Sequence, residues 1–295
     1  MFDLMKYKNL FLGLSVVLVV ASIVSIYMFG FNLGVDLKGG TLWQLSFENQ
    51  ITVDEVKGFL TDDIGLENVG VTKDSSGLII LIRSSEFTED QHQSYLSSMK
   101  EKFGLVEDLR FESIGPAIGK ELRDKALLAF IFVLTGISLY VAFAFRHVSY
   151  PVSSWKYGII TLVTLFHDAL ISAGFFAFWG FKTGIEIDTN FIVAILVIIG
   201  FSVHDTIVVF DRIRENLMTS KDRGNLAKIV NMSVNQTFAR SFNTSLTLVL
   251  VLITLIIFGA SSLSYFTLLI LLGTIIGTYS SIFVASPLLT LVQGK

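Results

Sequence analysis

Two residues that can change charge, His204 and Asp205, stand inside a nearly continuous hydrocarbon run from Asn190 to Phe210, which ends in Asp211, Arg212, Ile213, Arg214, Glu215 and Asn216. An ionised group at the centre of a bilayer costs about 2.5 to 3.5 kcal/mol on insertion scales, so a carboxylate there marks an ion path by default. Asp205 precedes Asp211 by six residues, or ~9 Å of helix, which leaves a second reading open: a helix-end residue reaching toward water. Against that, the short aspartate side chain snorkels poorly compared with Lys or Arg. His167 and Asp168 form a second such pair, Asp168 lying 11 residues beyond Tyr157 in another apolar run. Asp168 is either a further step in an ion path or a hydrogen-bonding link to a neighbouring span.

These readings hold only if the runs cross a membrane. The chain is 52% hydrophobic and 16% charged, with a strongly positive mean hydropathy, which a soluble domain of this length does not show. It reads as an integral membrane protein. A net charge of -3 implies no nucleic-acid or acidic partner. The absence of cysteine excludes disulfides and thiol catalysis.

A span needs about 20 mostly apolar residues, and the runs at 10–31, 126–145, 157–180, 190–210, 243–259 and 265–290 qualify. The first is too long for a signal peptide and lacks a small-residue cleavage site. Lys6, Lys8, Arg146, Lys156, Arg212, Arg214, Lys221, Arg223, Lys228, Arg240 and Lys295 fall on one side, and of the short loops on the other side only one carries a basic residue, Lys182. The positive-inside rule then puts both termini in the cytoplasm. The expected organisation is 1–31 for the N-terminus and first helix, 32–125 for an extracytoplasmic domain, 126–290 for five further helices with a cytoplasmic loop at 211–242, and 291–295 for the C-terminus. Within that loop, Leu226, Ile229, Val230 and Val234 recur at helical spacing. That pattern fits an amphipathic helix on the lipid surface, or a connecting helix packed on the bundle.

The long segment has a pattern of its own. Leu42–Glu48, Asn68–Lys73, Leu78–Arg83 and Val106–Ser113 read as strands, with a turn at Asp74–Gly77. Thr52–Asp62 and Thr88–Phe103 read as helices opened by threonine caps. The order β-α-β-β-α-β is that of a ferredoxin-like α+β sandwich, a fold that by itself assigns no function. His92 stands alone on a polar helix and reads as solvated rather than as a ligand. Neither a metal-ligand cluster, nor a nucleophile with its base, nor a phosphate loop is present. A binding or mechanical module fits better than an enzyme.

Two glycine motifs flank this domain: Asp36-Leu37-Lys38-Gly39-Gly40-Thr41 before it, and Gly115-Pro116-Ala117-Ile118-Gly119 after it. Such glycines permit positive φ and close backbone approach. The motifs are either ordinary turns or a hinge pair. In the last span Gly273 and Gly277 suit close helix packing, against a helix of this chain or of another.

The Asp-x-x-Gly-Gly-Thr motif, the Gly-Pro-x-x-Gly-x-Glu-Leu motif, and the run from His204 to Asn216 resemble the SecF family, across essentially the whole chain. Phe201 and His204 replace the Tyr and Asn usual in the family. The resemblance implies a polytopic α-helical membrane protein with six transmembrane helices, of the resistance-nodulation-division superfamily, in the bacterial cytoplasmic membrane. It implies a heterodimer with SecD beside the SecYEG channel, acting on exported unfolded polypeptide and driven by H⁺ or Na⁺, with no resident cofactor. By motif, the family's relay carboxylate falls on Asp205 and its arginine on Arg240, with one extra residue between them here. Each change of charge at Asp205 would favour a different packing of the spans. Two other readings remain: an exporter of small molecules or lipids from the same superfamily, and a structural brace that conducts no ions.

Overall fold

A computed structural model describes residues 3–73, 78–146, 152–220, 225–260 and 263–292. The expected turn at Asp74–Gly77, together with Lys221, Arg223 and Lys295, lies outside the described residues. In chain order the elements are α1 (Lys8–Phe29, after a 3₁₀ turn at Leu4–Tyr7), α2 (Val35–Lys38), β1 (Gly40–Phe47), α3 (Val53–Gly58, continuing as a π-turn Phe59–Asp63), β2 (Gly70–Lys73), β3 (Ile79–Ser84), α4 (Glu89–Phe103), β4 (Val106–Ile114), α5 (Pro116–Ala144), α6 (Ser154–Thr183), α7 (Thr189–Thr219), α8 (Leu226–Phe258), α9 (Ser264–Ser280, continuing as a π-turn Ser281–Ala285) and α10 (Ser286–Leu291). The chain divides into a helical unit of Met1–Asn32, Leu128–Glu186 and Asn190–Lys295, and an α+β unit of Leu33–Leu127 with Ile187–Thr189.

The α+β unit is the expected ferredoxin-like sandwich. Its four strands run in the order β2-β3-β1-β4, every neighbouring pair antiparallel. Strand alternation turns Trp43, Leu45, Phe47, Ile80 and Ile82 onto one face, where they are buried against Val56, Leu60, Leu96 and Met99 of the two helices. Both helices open on the threonines read as caps. Thr52 with Glu55, and Thr88 with Gln91, form capping boxes that satisfy otherwise unpaired N–H groups of the first turn.

His92 departs from expectation. It is buried, because the i, i+4, i+7 spacing puts it on the same face of α4 as Leu96 and Met99. Its ring stacks on Phe111 at 3.8 Å and meets Trp43 edge-on. Nδ1 lies 3.1 Å from Glu89 Oε1 and Nε2 lies 2.9 Å from Asp108 Oδ2. A β-bulge makes the second contact possible: Gln44 pairs with Arg110 and Leu45 with Asp108, so Leu109 is skipped. The extra residue brings Asp108 and Phe111 onto the same face of β4, which strict alternation would forbid.

Among the described residues, six helices are long and apolar enough to cross a membrane, in the six places expected. The polarity of the helical unit is inverted relative to a soluble bundle. Large apolar side chains such as Leu128, Phe132, Phe143, Leu250 and Phe258 are exposed, whereas Asp168, Ser172, Ser202, Asp205, Thr206, Ser280 and Ser281 are buried. Hydrocarbon outside suits lipid, and polar groups inside find one another. Small residues let the backbones approach: a Cβ at Gly174 would fall 2.6 Å from Ser22 Cα. Gly273 and Gly277 face this chain's own α7, for added Cβ atoms there would lie 2.3 Å from Ile198 Cγ1 and 3.1 Å from Ser202 Cβ.

In the inner segment 211–242, α7 runs on to Thr219 and α8 begins at Leu226. Leu226, Ile229, Val230 and Val234 are buried in one cluster with Phe210, Ile213 and Leu289. Of the two readings of this segment, packing on the bundle is the one realised. The fifth span is correspondingly longer than its apolar core, at 33 residues.

Candidate functional site

Along the buried face of α6, Thr161 and Thr164 donate their hydroxyls to carbonyls of their own helix, at 2.9 Å to Tyr157 and 3.1 Å to Ile160. An aspartate has no donor and needs partners from outside. Asp168, fully buried, finds them on two other helices. Ser202 Oγ of α7 donates to Oδ2 at 2.5 Å, and Ser280 Oγ at the end of α9 donates to the same oxygen at 2.7 Å. His167 Nδ1 lies 2.8 Å from Oδ1. Asp168 thus ties α6, α7 and α9 together.

Asp205 is buried three residues after Ser202, on the same side of α7. Ser281 Oγ donates to its Oδ2. The two carboxylates, from neighbouring helices, are therefore held by consecutive residues of the last span. That junction is where α9 widens into its π-turn. Pro287 supplies a physical cause: it has no N–H, and its ring crowds the carbonyl of Phe283 four residues earlier, so the regular α-ladder cannot pass through.

The other expected site residues fall into distinct places. His167 is buried, with Nε2 lacking a hydrogen-bond partner among the described residues. His204, one position from Asp205 and so about 100° round the helix, is exposed. Arg240 is exposed on α8 and forms no ion pair with Asp205 among the described residues. The geometry groups Asp205 with Ser281 rather than with Arg240.

The motif after Asp205 joins α7 to α8. Asn216 Nδ2 donates to Ser233 Oγ and to Gln236 Oε1, each at 2.8 Å, and Arg212 Nε donates to the same Gln236 oxygen at 2.6 Å. Arg212 pairs with Glu215, and Arg214 with Asp211. In the α+β unit, Asp36 Oδ2 accepts both the N–H (3.1 Å) and the hydroxyl (2.7 Å) of Thr189, where α7 begins. Gly39 has φ +86° and Gly40 φ +121°, and Gly39 abuts Pro116. A Cβ at Gly115 would lie 3.3 Å from the Glu86 carboxylate. No group of three His, Cys, Asp or Glu side chains suited to a metal ion occurs among the described residues.

Ser202, Ser280 and Ser281 are the site residues that sequence reasoning did not find. The available signal was faint: hydroxyls within apolar spans, one of them three residues before Asp205 and two of them shortly before a helix-breaking proline.

Six apolar helices, with a ferredoxin-like unit between the first and second and paired carboxylates in the helical interior, define a multi-pass membrane protein built around a polar intramembrane seam. Residues 94–295 match the family described as protein export membrane protein SecD/SecF, C-terminal, and residues 24–51 match the SecD/SecF GG motif. Similar proteins include the translocase subunit SecF of Thermobaculum terrenum, 38% identical over all of this chain and 95% of that protein. The SecF of Helicobacter pylori is 31% identical over 98% of this chain and 86% of that one. A crystal structure of SecDF from Thermus thermophilus superposes with a TM-score of 0.82 at 32% identity, over 98% of this chain and 38% of that longer one. The chain belongs to the SecD/SecF family of protein-export membrane proteins, on its SecF side, and its role lies in protein translocation.

Proposed function

We propose that the chain is the ion-coupled SecF subunit of a SecD–SecF pair, using a proton or sodium gradient to help exported polypeptide leave the SecYEG channel. The fused SecDF of Bacillus subtilis, which this chain matches over 99% of its own length and 38% of that protein, supports SecD as the partner. The observation that carries ion coupling is the burial of Asp168 and Asp205 together, each bonded to the end of α9. The setting is the bacterial cytoplasmic membrane, with both termini inside and the α+β unit outside, as the distribution of Lys and Arg implies.

In this reading Asp205 is the carboxylate that changes state. Asp168 already has three bonded partners, whereas Asp205 has Ser281 alone among the described contacts. Asp205 therefore takes and loses a proton, or exchanges a sodium ion, with little disturbance of other bonds. Each change alters how α7 and α9 hold together. One charge crossing the membrane supplies about 2.3 kcal/mol per 100 mV, enough to bias two arrangements more than tenfold. The outer unit, entered and left through the packed glycine motifs, is the part that meets the exported chain. The role is transport rather than catalysis, and it calls for no resident cofactor beyond the coupling ion. His204, His167 and Arg240 are assigned as flanking groups of the ion path.

The test is ion conductance and protein export measured together, for the chain reconstituted in vesicles with SecD and SecYEG. Asp205→Asn is expected to abolish both while the complex still assembles. Full export by that variant would leave the protein a brace of the channel.

A further inference from the structure

Ser280 and Ser281 each have two acceptors within reach. Ser280 Oγ lies 2.7 Å from Asp168 Oδ2 and 3.1 Å from the Gly277 carbonyl. Ser281 Oγ donates to Asp205 Oδ2 and lies 3.1 Å from the Thr278 carbonyl. A hydroxyl has one proton and two lone pairs, so it serves one acceptor at a time while still able to accept. Resting on the ion-coupled reading above, we propose that Ser281 is a two-position hydroxyl switch for Asp205, next to Ser280, which anchors Asp168. Both are positioning residues, and through Ser281 the last membrane helix registers the charge of Asp205.

The proton count closes. With Asp205 ionised, the Ser281 proton points at Oδ2. When a proton arrives on Oδ2, the new carboxylic O–H donates to Ser281 Oγ, and the serine's own proton turns to the Thr278 carbonyl. No covalent bond breaks on the serine, and no buried donor is left unpaired in either state, which avoids the penalty of an unsatisfied polar group. In the first state the helix end is tethered by a charge-assisted bond and in the second by a neutral one, roughly half as strong. Because Ser280 and Ser281 are consecutive, loosening one tether moves the residue that holds the other. They sit where α9 opens into its π-turn, a feature frequent at functional sites.

The experiment is infrared difference spectroscopy across a pH step, with parallel export assays, on the full chain reconstituted with SecD and SecYEG. The carboxylic C=O band of Asp205 is the one lost in Asp205→Asn. Ser281→Ala is expected to move that band to higher wavenumber, as the acid loses its acceptor, and to lower ion-driven export about tenfold, the value of one charged hydrogen bond. Ser281→Thr, which keeps the hydroxyl, is expected to restore both. Ser280→Ala, which leaves the Ser281 hydroxyl in place, is expected to move the Asp205 band less than Ser281→Ala does. An unmoved Asp205 band in an assembled Ser281→Ala complex overturns the switch, as does the absence of any such band in the wild type. Full export in Asp205→Asn with a moved band in Ser281→Ala would instead overturn the ion-coupled reading and leave the hydroxyl geometry standing.

Discussion

Gly39 lies so close against Pro116 that a Cβ at Gly39 would fall 2.6 Å from the proline Cα, and its φ of +86° is one that other residues rarely adopt. The chain entering the α+β unit and the chain leaving it are thereby packed into one node. Gly119 reinforces it, since a Cβ there would fall 2.8 Å from the Gly39 nitrogen. Segments about 75 residues apart in sequence must therefore shift together or separate altogether.

Gly39→Ala is expected to weaken that node by about 1 to 3 kcal/mol, the usual range for a non-glycine residue forced into a left-handed conformation. Hydrogen exchange on the intact protein should show faster exchange in β1 and β4 and unchanged rates in α6. Equal rates throughout would mean that the node relaxes around the methyl group.

Gly273→Val inserts bulk where a Cβ alone would lie 2.3 Å from Ile198 Cγ1. The branched Ile198 has few rotamers to yield with, so α9 must move off α7. A loss of about 1 to 3 kcal/mol for overpacking is expected. Export should fall with it, because the same two helices align Ser281 with Asp205. A variant that assembles and exports normally would contradict that alignment.

His92→Phe keeps the ring against Phe111 and Trp43 but removes both nitrogens. Asp108, left with Trp43 Nε1 at 3.1 Å, loses its contact from α4. Stability of the α+β unit is expected to drop by about 1 to 3 kcal/mol for the stranded polar group. His92→Phe with Asp108→Leu, which removes both partners, should recover part of the loss, and hydrogen exchange in α4 is the readout.

Acid should loosen the helix starts of the same unit. The Thr52 backbone N–H, then its hydroxyl, hold Glu55 below the usual glutamate value of 4.5. Gln93, then His92, do the same for Glu89. A folded-state value below the unfolded one means stability that is present above about 4.5 and lost as pH falls through the folded value. Exchange protection in the first turns of α3 and α4, corrected for intrinsic rate, should be level above that pH and decline below it. Glu55→Gln should flatten the response in α3 only.

The six spans, the order of strands and helices, and both threonine caps were legible in the sequence because each follows from local rules: hydrocarbon length, two-residue or 3.6-residue periodicity, and a threonine just before an acidic first turn. Asp168 and Asp205 were legible as anomalies, since a carboxylate among Leu, Ile and Val has few innocent explanations. Their partners were not. Ser202, Ser280 and Ser281 become site residues only when α6, α7 and α9 pack side by side, and a serine in an apolar span carries no mark of which helix it will face. His92 shares a face with Leu96 and Met99 by its spacing alone, but the polar partner that lets it be buried, Asp108, is brought there by the β4 bulge. Gly273 and Gly277 announced close packing, but their partner, α7 of this same chain, depended on the arrangement of the whole bundle. Sequence determined what each segment is by its own chemistry, and the tertiary structure decided which segments meet, because contact between distant residues is set by packing that no local pattern contains.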